Sequence, residues 1–300
     1  MLALTILGNN SAIPAFDRNP TAQILQTFDT SYLIDCGEGT QMQMAKYKIR
    51  RSRITHVFIS HLHGDHYFGL IGLLNSLSLL GRTQDLHIFA PAPLKDIINM
   101  QLQVVHGQLS FTLIFHDLRE EGLIVDDKRV TVHCFSVQHK IECWGFLFKE
   151  KKHPRKIDPE RARSYEIPAS FYEKLQEGQD YINKKGTIIP NAEVTLPGIP
   201  AKSYAYCADT KYDETLIGKI KGVDLLYHET TYLKNLEKIA GERFHSTTIQ
   251  AAEIAKRSGA KRLLIGHFSS KYETLEEFHI EAKEVFENTE LAIQGVCYRI

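Results

Sequence analysis

Apolar residues in this chain come mostly in short runs that stop at glycine, asparagine, aspartate or histidine, a pattern of buried strands rather than of long amphipathic helices. Residues 2–7 predict a first strand, broken by the turn-rich Gly8-Asn9-Asn10-Ser11. Residues 31–34 predict another, leading into Asp35-Cys36-Gly37-Glu38-Gly39. Residues 54–59 read as a strand buried on both faces. Residues 67–80 are apolar over a helical length and are closed by Gly81. Strand-like runs follow at 86–89, 111–115, 130–137 and 144–148. In the last third, strands at 204–207, 223–227 and 262–265 run towards Asp209, His228 and His267. Helices intervene, one opening with the capping box Thr247-Thr248-Ile249-Gln250 and one with Thr274-Leu275-Glu276-Glu277. Strands first, then strand and helix in alternation, predict an α/β fold: sheets covered by helices, with polar residues gathered at one sheet edge.

Residues 149–200 break the pattern. Apolar periodicity fades there, charged residues, prolines and glycines accumulate, and the segment opens with Lys149-Glu150-Lys151-Lys152-His153-Pro154-Arg155-Lys156. Composition alone fits a solvated surface loop inserted into a single domain spanning 1–300. Its length points further, because structureless insertions of this size in compact domains are usually functional or disordered.

Charge narrows the partners. The 300 residues carry 36 Lys and Arg against 36 Asp and Glu, so no global basic field announces nucleic acid. A polyanion would have to be held by local patches. The candidates are Lys151, Lys152, Arg155 and Lys156 in the insertion, and Arg50 and Arg51 within the run from Lys46 to Arg53. No apolar stretch has membrane-spanning length and the first residues lack a basic secretory start, which predicts a cytoplasmic protein with no membrane partner. The five cysteines, far apart among apolar neighbours, fit buried free thiols.

The densest chemistry lies in Ser60-His61-Leu62-His63-Gly64-Asp65-His66, three imidazoles and a carboxylate directly after a predicted strand. The spacing differs from the i, i+4 pair of a helical zinc site, so the side chains are expected to splay from a loop, with Gly64 allowing a sharp turn. A centre of two metal ions needs about seven donors, and this loop supplies part of them. His139, Asp209 and His267 each stand just beyond a predicted strand, where a side chain is exposed at a sheet edge. Each of these three, taken alone, equally fits a satisfied structural side chain.

The whole series resembles the metallo-β-lactamase superfamily, with its H-x-H-x-D-H loop followed by isolated His, Asp and His at strand ends. That resemblance implies a four-layer αβ/βα sandwich of two mixed sheets, with the site in the cleft between them. It implies one metal ion on His61, His63 and His139, a second on Asp65, His66 and His267, and Asp209 as the bridge. Within the superfamily the chain is most similar to the ribonuclease Z family. The segments that carry this are Asp35 to Gln41, Ser60 to Leu70, His228-Glu229-Thr230-Thr231-Tyr232, His245-Ser246-Thr247 and Gly266 to Tyr272. The insertion falls where that family carries a flexible arm that grips transfer RNA. Ile167-Pro168-Ala169-Ser170-Phe171 stands where family arms often show a Gly-Pro pair.

The activity implied is zinc-dependent endonucleolytic removal of 3′ trailers from precursor tRNA, with two zinc ions per subunit and manganese as another usable metal. Divalent ions bring the pKa of water from 15.7 towards about 7, which makes a nucleophile available at neutral pH. The resemblance further implies Asp65 as both ligand and base, His245 as general acid for the leaving 3′ oxygen, Glu229 as its orienting carboxylate, and a homodimer. Rival readings are a phosphodiesterase of the same fold acting on small nucleotide esters, a thioesterase of the glyoxalase II type, and a non-catalytic RNA-binding subunit. His56, His87, His106, His116, His133, His153 and His279 fit no ligand series.

Overall fold

In the computed structural model of the chain, which describes residues 2–104 and 108–300, successive residues of the central strands belong to different cores. Tyr32 and Ile34 join one apolar cluster and Leu33 another. Phe58 and Val57 divide the same way, as do Leu25 and Ile24. Side chains leave a strand alternately on its two faces, so these strands are covered on both sides. That double burial is why such strands can carry apolar residues in succession, as at Tyr32-Leu33-Ile34, rather than in alternation.

Two seven-stranded sheets result. The first runs in the order Cys297–Arg299, Ala3–Gly8, Ala22–Gln26, Ser31–Cys36, Ile54–Phe58, Leu86–Ala90, Leu113–Asp117. Its first four strands pair antiparallel and the rest parallel. The second runs Thr289–Leu291, Leu263–Gly266, Leu225–Glu229, Ser203–Cys207, Trp144–Glu150, Val130–Ser136, Gly122–Asp126. Its first four strands are parallel, and Trp144–Glu150 turns antiparallel to Ser203–Cys207, ending with Lys149 opposite Ser203.

The faces between the sheets share one core, in which the Phe58 ring meets Phe146 at 5.3 Å, Phe148 at 5.4 Å and Phe89 at 5.1 Å. Helices Thr40–Lys46, Leu70–Leu79 and Pro93–Val104 place Met44, Leu73, Leu77, Leu94 and Ile98 on the outer face of the first sheet. Helices Thr248–Ser258 and Glu276–Val285 bring Ala252, Ala255, Phe278 and Ala282 into the same cluster as Leu263 and Ile265 of the second sheet. The architecture is the four-layer αβ/βα sandwich of the metallo-β-lactamase fold.

Some local expectations change. The capping box at Thr247 and Gln250 forms, but Glu276–Val285 starts without a side-chain cap, so Thr274 does not play that part. Cys36, Cys134, Cys143 and Cys207 are buried free thiols, whereas Cys297 lies exposed on an edge strand. No helix among the described residues is long and apolar enough to cross a membrane.

Residues of the sandwich, Met1–Lys149 with Lys202–Ile300, separate from a second compact unit, Glu150–Ala201. That unit is folded rather than a plain loop. It contains the strand pairs Lys156–Ile157 with Thr195–Leu196 and Tyr181–Ile182 with Ile188–Ile189. Helices Pro159–Ser164, Tyr172–Gln176 and Asn191–Val194 accompany them around a small core of Ile167, Leu175, Ile189 and Val194. The core side chains stand too far apart along the chain to register as a periodic pattern. Pro168, in place of the Gly-Pro pair, precedes a single turn at Ala169–Phe171.

Candidate metal site

The side chains of the opening motif converge because strand Ile54–Phe58 ends just short of them and the chain then bends into the short helix Gly64–Tyr67. His61 and His63 point from the loop, while Asp65 and His66 ride on the helical turn. Gly64 is not in a left-handed conformation. Its requirement is space, since a Cβ there would stand 2.2 Å from the Phe68 ring. His139 follows strand Val130–Ser136, Asp209 follows Ser203–Cys207, and His267 follows Leu263–Gly266. The ligand candidates therefore reach one spot from both sheets.

Two groups form there. His61, His63, His139 and Asp209 present atoms all within 4.8 Å of one another, and Asp65, His66 and His267 do the same. His61 Nε2 and His139 Nε2 lie 3.0 and 3.1 Å from His63 Nδ1. His66 Nε2 and His267 Nε2 lie 3.5 and 3.4 Å from Asp65 Oδ2. Asp209 touches both groups, its carboxylate standing 3.7 Å from His61, 3.5 Å from His66, 4.0 Å from His139 and 3.2 Å from His267.

These residues fit divalent cations. His66 Nε2, His267 Nε2 and Asp209 Oδ1 are buried without a hydrogen-bond partner, and buried polar atoms are rarely left so without a reason. Imidazole and carboxylate together suit zinc and its neighbours in the transition series. The field points the same way. Burial alone would lower the pKa of His66, yet the carboxylates of Asp209, Asp65 and Asp35 raise it well above the ordinary value. Burial and then the charge of His66 push His61 well below. Asp65, which burial would raise, is lowered by the charges of His66 and His267. The pocket thus favours positive charge.

Hydrogen bonds behind the imidazoles fix which nitrogen faces the centre, a link that follows from counting protons. Asp35 is buried, with φ 54°, and accepts from Ser60 N at 2.7 Å, Ser60 Oγ at 2.8 Å, His66 Nδ1 at 2.8 Å and Tyr206 Oη at 2.6 Å. With its one proton given to Asp35, Ser60 Oγ accepts from His61 Nδ1 at 3.0 Å. His139 Nδ1 donates to the Phe244 carbonyl at 3.0 Å. Each of these three imidazoles has Nδ1 engaged from behind, which turns Nε2 towards the centre. The backing residues carry no metal-ligand spacing in sequence. Asp35 alone offered a signal, since it ends a predicted strand just as Asp209 and His267 do.

A second polar cluster adjoins the first. Glu229 is fully buried, and its Oε1 accepts from His245 Nδ1 at 2.9 Å, Ser246 N at 3.0 Å and Thr210 N at 3.2 Å. Its Oε2 accepts from Thr231 N at 2.9 Å and Thr231 Oγ1 at 2.8 Å. Burial would lower His245, but the charge and hydrogen bond of Glu229 raise it to about 9. His63, Asp65, Asp209 and His245 line one opening of about 530 Å³.

Other sequence candidates fall elsewhere. Arg50 and Arg51 precede strand Ile54–Phe58 at its amino end, whereas the histidine loop leaves its carboxyl end. Proximity in sequence does not place them at the centre, because a five-residue strand spans roughly 17 Å. In the second unit Lys151, Lys152 and Lys156 are exposed, and Arg155 Nε donates to Thr195 Oγ1 at 2.7 Å. His56, His87 and His116 stack side by side across three parallel strands; His106 lies outside the described residues.

Comparison with known proteins agrees with this geometry. Residues 184–268 match the family described as a β-lactamase superfamily domain, and residues 2–150 match that of the anti-Pycsar protein Apyc1. The metallo-β-lactamase fold protein YhfI of Bacillus subtilis superposes with a TM-score of 0.70 over 100% of both chains at 19% identity, a likeness of fold alone. Fold and site together define a metal-dependent hydrolase of the metallo-β-lactamase superfamily. The chain is 41% identical to a ribonuclease Z of Bacteroides fragilis over 296 residues, covering 98% of this chain and 97% of the relative. The human short-form tRNase Z superposes with a TM-score of 0.74 at 28% identity over 99% of both chains. The chain belongs to the ribonuclease Z family and is a metal-dependent endoribonuclease.

Proposed function

We propose that this protein removes 3′ trailers from precursor tRNA by hydrolysing one phosphodiester, leaving a 3′-hydroxyl on the tRNA. The observation that carries this is the pairing of the two-group ligand cluster with the Glu229–His245 dyad at the same opening. His61, His63 and His139 would hold one zinc ion and Asp65, His66 and His267 a second, with the Asp209 carboxylate, which reaches residues of both groups, available to either. When bound, such cations lower the pKa of water and neutralise phosphate oxygens. Asp65, kept anionic by its imidazole neighbours, accepts the proton of the attacking water. Glu229 accepts a hydrogen bond from Nδ1–H of the protonated His245, which leaves Nε2–H to protonate the departing 3′ oxygen of the tRNA.

The unit Glu150–Ala201 is the arm that grips the tRNA body, with Lys151, Lys152, Arg155 and Lys156 meeting phosphates, and Arg50 and Arg51 forming a second patch. The working form is a cytoplasmic homodimer. Against a phosphodiesterase acting on small nucleotide esters stands the near-complete alignment with ribonuclease Z. The decisive assay incubates the zinc-loaded protein and Asp65→Ala with a precursor tRNA. Wild type should cut just past the discriminator base and the folded variant should not. Retained cutting by the variant removes the mechanism, and intact precursor with wild type removes the substrate.

A further inference from the structure

The two polar clusters are joined through one hydroxyl. Thr231 Oγ1 lies 2.8 Å from Glu229 Oε2 and 2.9 Å from His267 Nδ1. Glu229 is anionic, since it faces five donors: Thr210 N, Ser246 N, His245 Nδ1, Thr231 N and Thr231 Oγ1. A carboxylate can only accept, so the single hydroxyl proton of Thr231 is committed to Oε2. The oxygen must then meet His267 as an acceptor, and the proton between them belongs to His267 Nδ1. Nε2 of His267, buried and without a hydrogen-bond partner, is left with its lone pair towards Asp65 and Asp209.

Backbone geometry makes the arrangement rigid. Thr231 N donates to the same Oε2, and Ser269 N, two residues beyond His267, donates to the Thr231 carbonyl at 3.2 Å. His267 itself has φ 62°, a left-handed conformation uncommon outside glycine and held here by its surroundings. The hydroxyl also lies 3.2 Å from His245 Nδ1, but that proton has the shorter path of 2.9 Å to Oε1.

We infer that Thr231 is a positioning residue for the metal centre: its hydroxyl relays the Glu229 carboxylate to His267 and locks His267 in the tautomer that presents Nε2. One carboxylate thereby serves both halves of the site, orienting the acid His245 through Oε1 and the ligand His267 through Oε2. His66, His61 and His139 are backed separately, by Asp35, by Ser60 and by the Phe244 carbonyl, so among the ligand imidazoles Thr231 backs only His267. This inference rests on the reading of His267 as a ligand.

The test is zinc binding to the purified, metal-stripped full chain, titrated against a competing chelator for wild type, Thr231→Val and Thr231→Ser, with a thermal melt of each apo protein. Valine keeps the branched shape and removes the hydroxyl. It should weaken one of the two zinc equivalents by about 10- to 100-fold, the usual effect of removing a ligand's hydrogen-bonding partner, while serine restores wild-type affinity. Wild-type affinity for both equivalents in a folded Thr231→Val would overturn the inference, and so would equal weakness in Thr231→Ser. Should the valine variant not fold, the imidazole nitrogen resonances of His267 in zinc-loaded wild type decide. A proton on Nδ1 supports the relay and a proton on Nε2 overturns it. Wild type that binds no zinc would overturn the ligand reading itself, a distinct outcome.

Discussion

Replacing Glu229 by glutamine removes one charge from the most heavily hydrogen-bonded buried carboxylate beside the site, and the consequence can be worked through. The amide must turn its NH2 towards one set of donors. Facing Thr231 is the lesser conflict, because only Thr231 N and Oγ1 stand there, whereas Thr210 N, Ser246 N and His245 Nδ1 stand on the other side. His245 therefore keeps an oxygen acceptor and loses the negative charge. That charge, with its hydrogen bond, lifts His245 from an ordinary 6.5 to about 9 against the opposing effect of burial, a difference worth about 3 kcal/mol at 1.36 kcal/mol per unit. Without it the imidazole falls back towards its ordinary value, burial lowering it and the charges of Asp209 and Asp65 still raising it. The sign follows from the role: a general acid works only while protonated, so activity persists below its pKa and is lost above it. The upper limb of the pH–rate profile should accordingly move down by more than one unit in Glu229→Gln. Bound cations lower the limb in both proteins and leave the difference. The assay is kcat against pH on precursor tRNA at saturating metal, beside a small diester whose leaving group needs no proton and whose upper limb should move little. A Glu229→Gln profile superimposed on wild type, with metal content unchanged, would refute the assignment of His245 as the acid.

Two further outcomes are expected. Asp35→Asn should cost about 10- to 100-fold in zinc affinity, because an amide cannot accept the four hydrogen bonds that Ser60, His66 and Tyr206 now give that carboxylate; chelator competition that shows unchanged affinity would contradict this. Replacing Lys151, Lys152 and Lys156 together by alanine should flatten the dependence of log K for precursor tRNA on log salt, by up to about 0.7 to 0.9 for each phosphate that is no longer neutralised, and identical slopes for variant and wild type would take these lysines out of the interface.

Much of the sandwich was legible because central strands buried on both faces leave successive apolar residues, as in Ser31–Cys36, Trp144–Glu150 and Leu263–Gly266. What escaped were elements with a mixed pattern or no start signal. Strands Ala22–Gln26 and Gly122–Asp126 mix polar with apolar positions. Helix Thr40–Lys46 starts at a left-handed Gly39 with no side-chain cap, so no start signal marks it. The donor groups of the site could be read from residue type and position at strand ends. Most of their partners could not: Asp35 and Thr231 each reach an imidazole through one hydrogen bond between segments far apart in sequence, and Ser60, though next to His61, carries no ligand-type signature. Glu150–Ala201 was hidden for another reason: its core is a handful of aliphatic side chains that composition averages away.

Strand Trp144–Glu150 leaves the second sheet and strand Ser203–Cys207 re-enters it at the antiparallel partners Lys149 and Ser203, whose Cα atoms such pairing holds about 5 Å apart. A turn of two residues is enough to join strands at that spacing. For the sandwich, then, this hairpin end is a socket. Whatever occupies it can be lengthened, shortened or exchanged without disturbing the register of either sheet, and each doubling of a flexible connection costs only about 0.6 kcal/mol. The chemistry of the cleft and the choice of the molecule brought to it are thereby free to evolve on separate schedules.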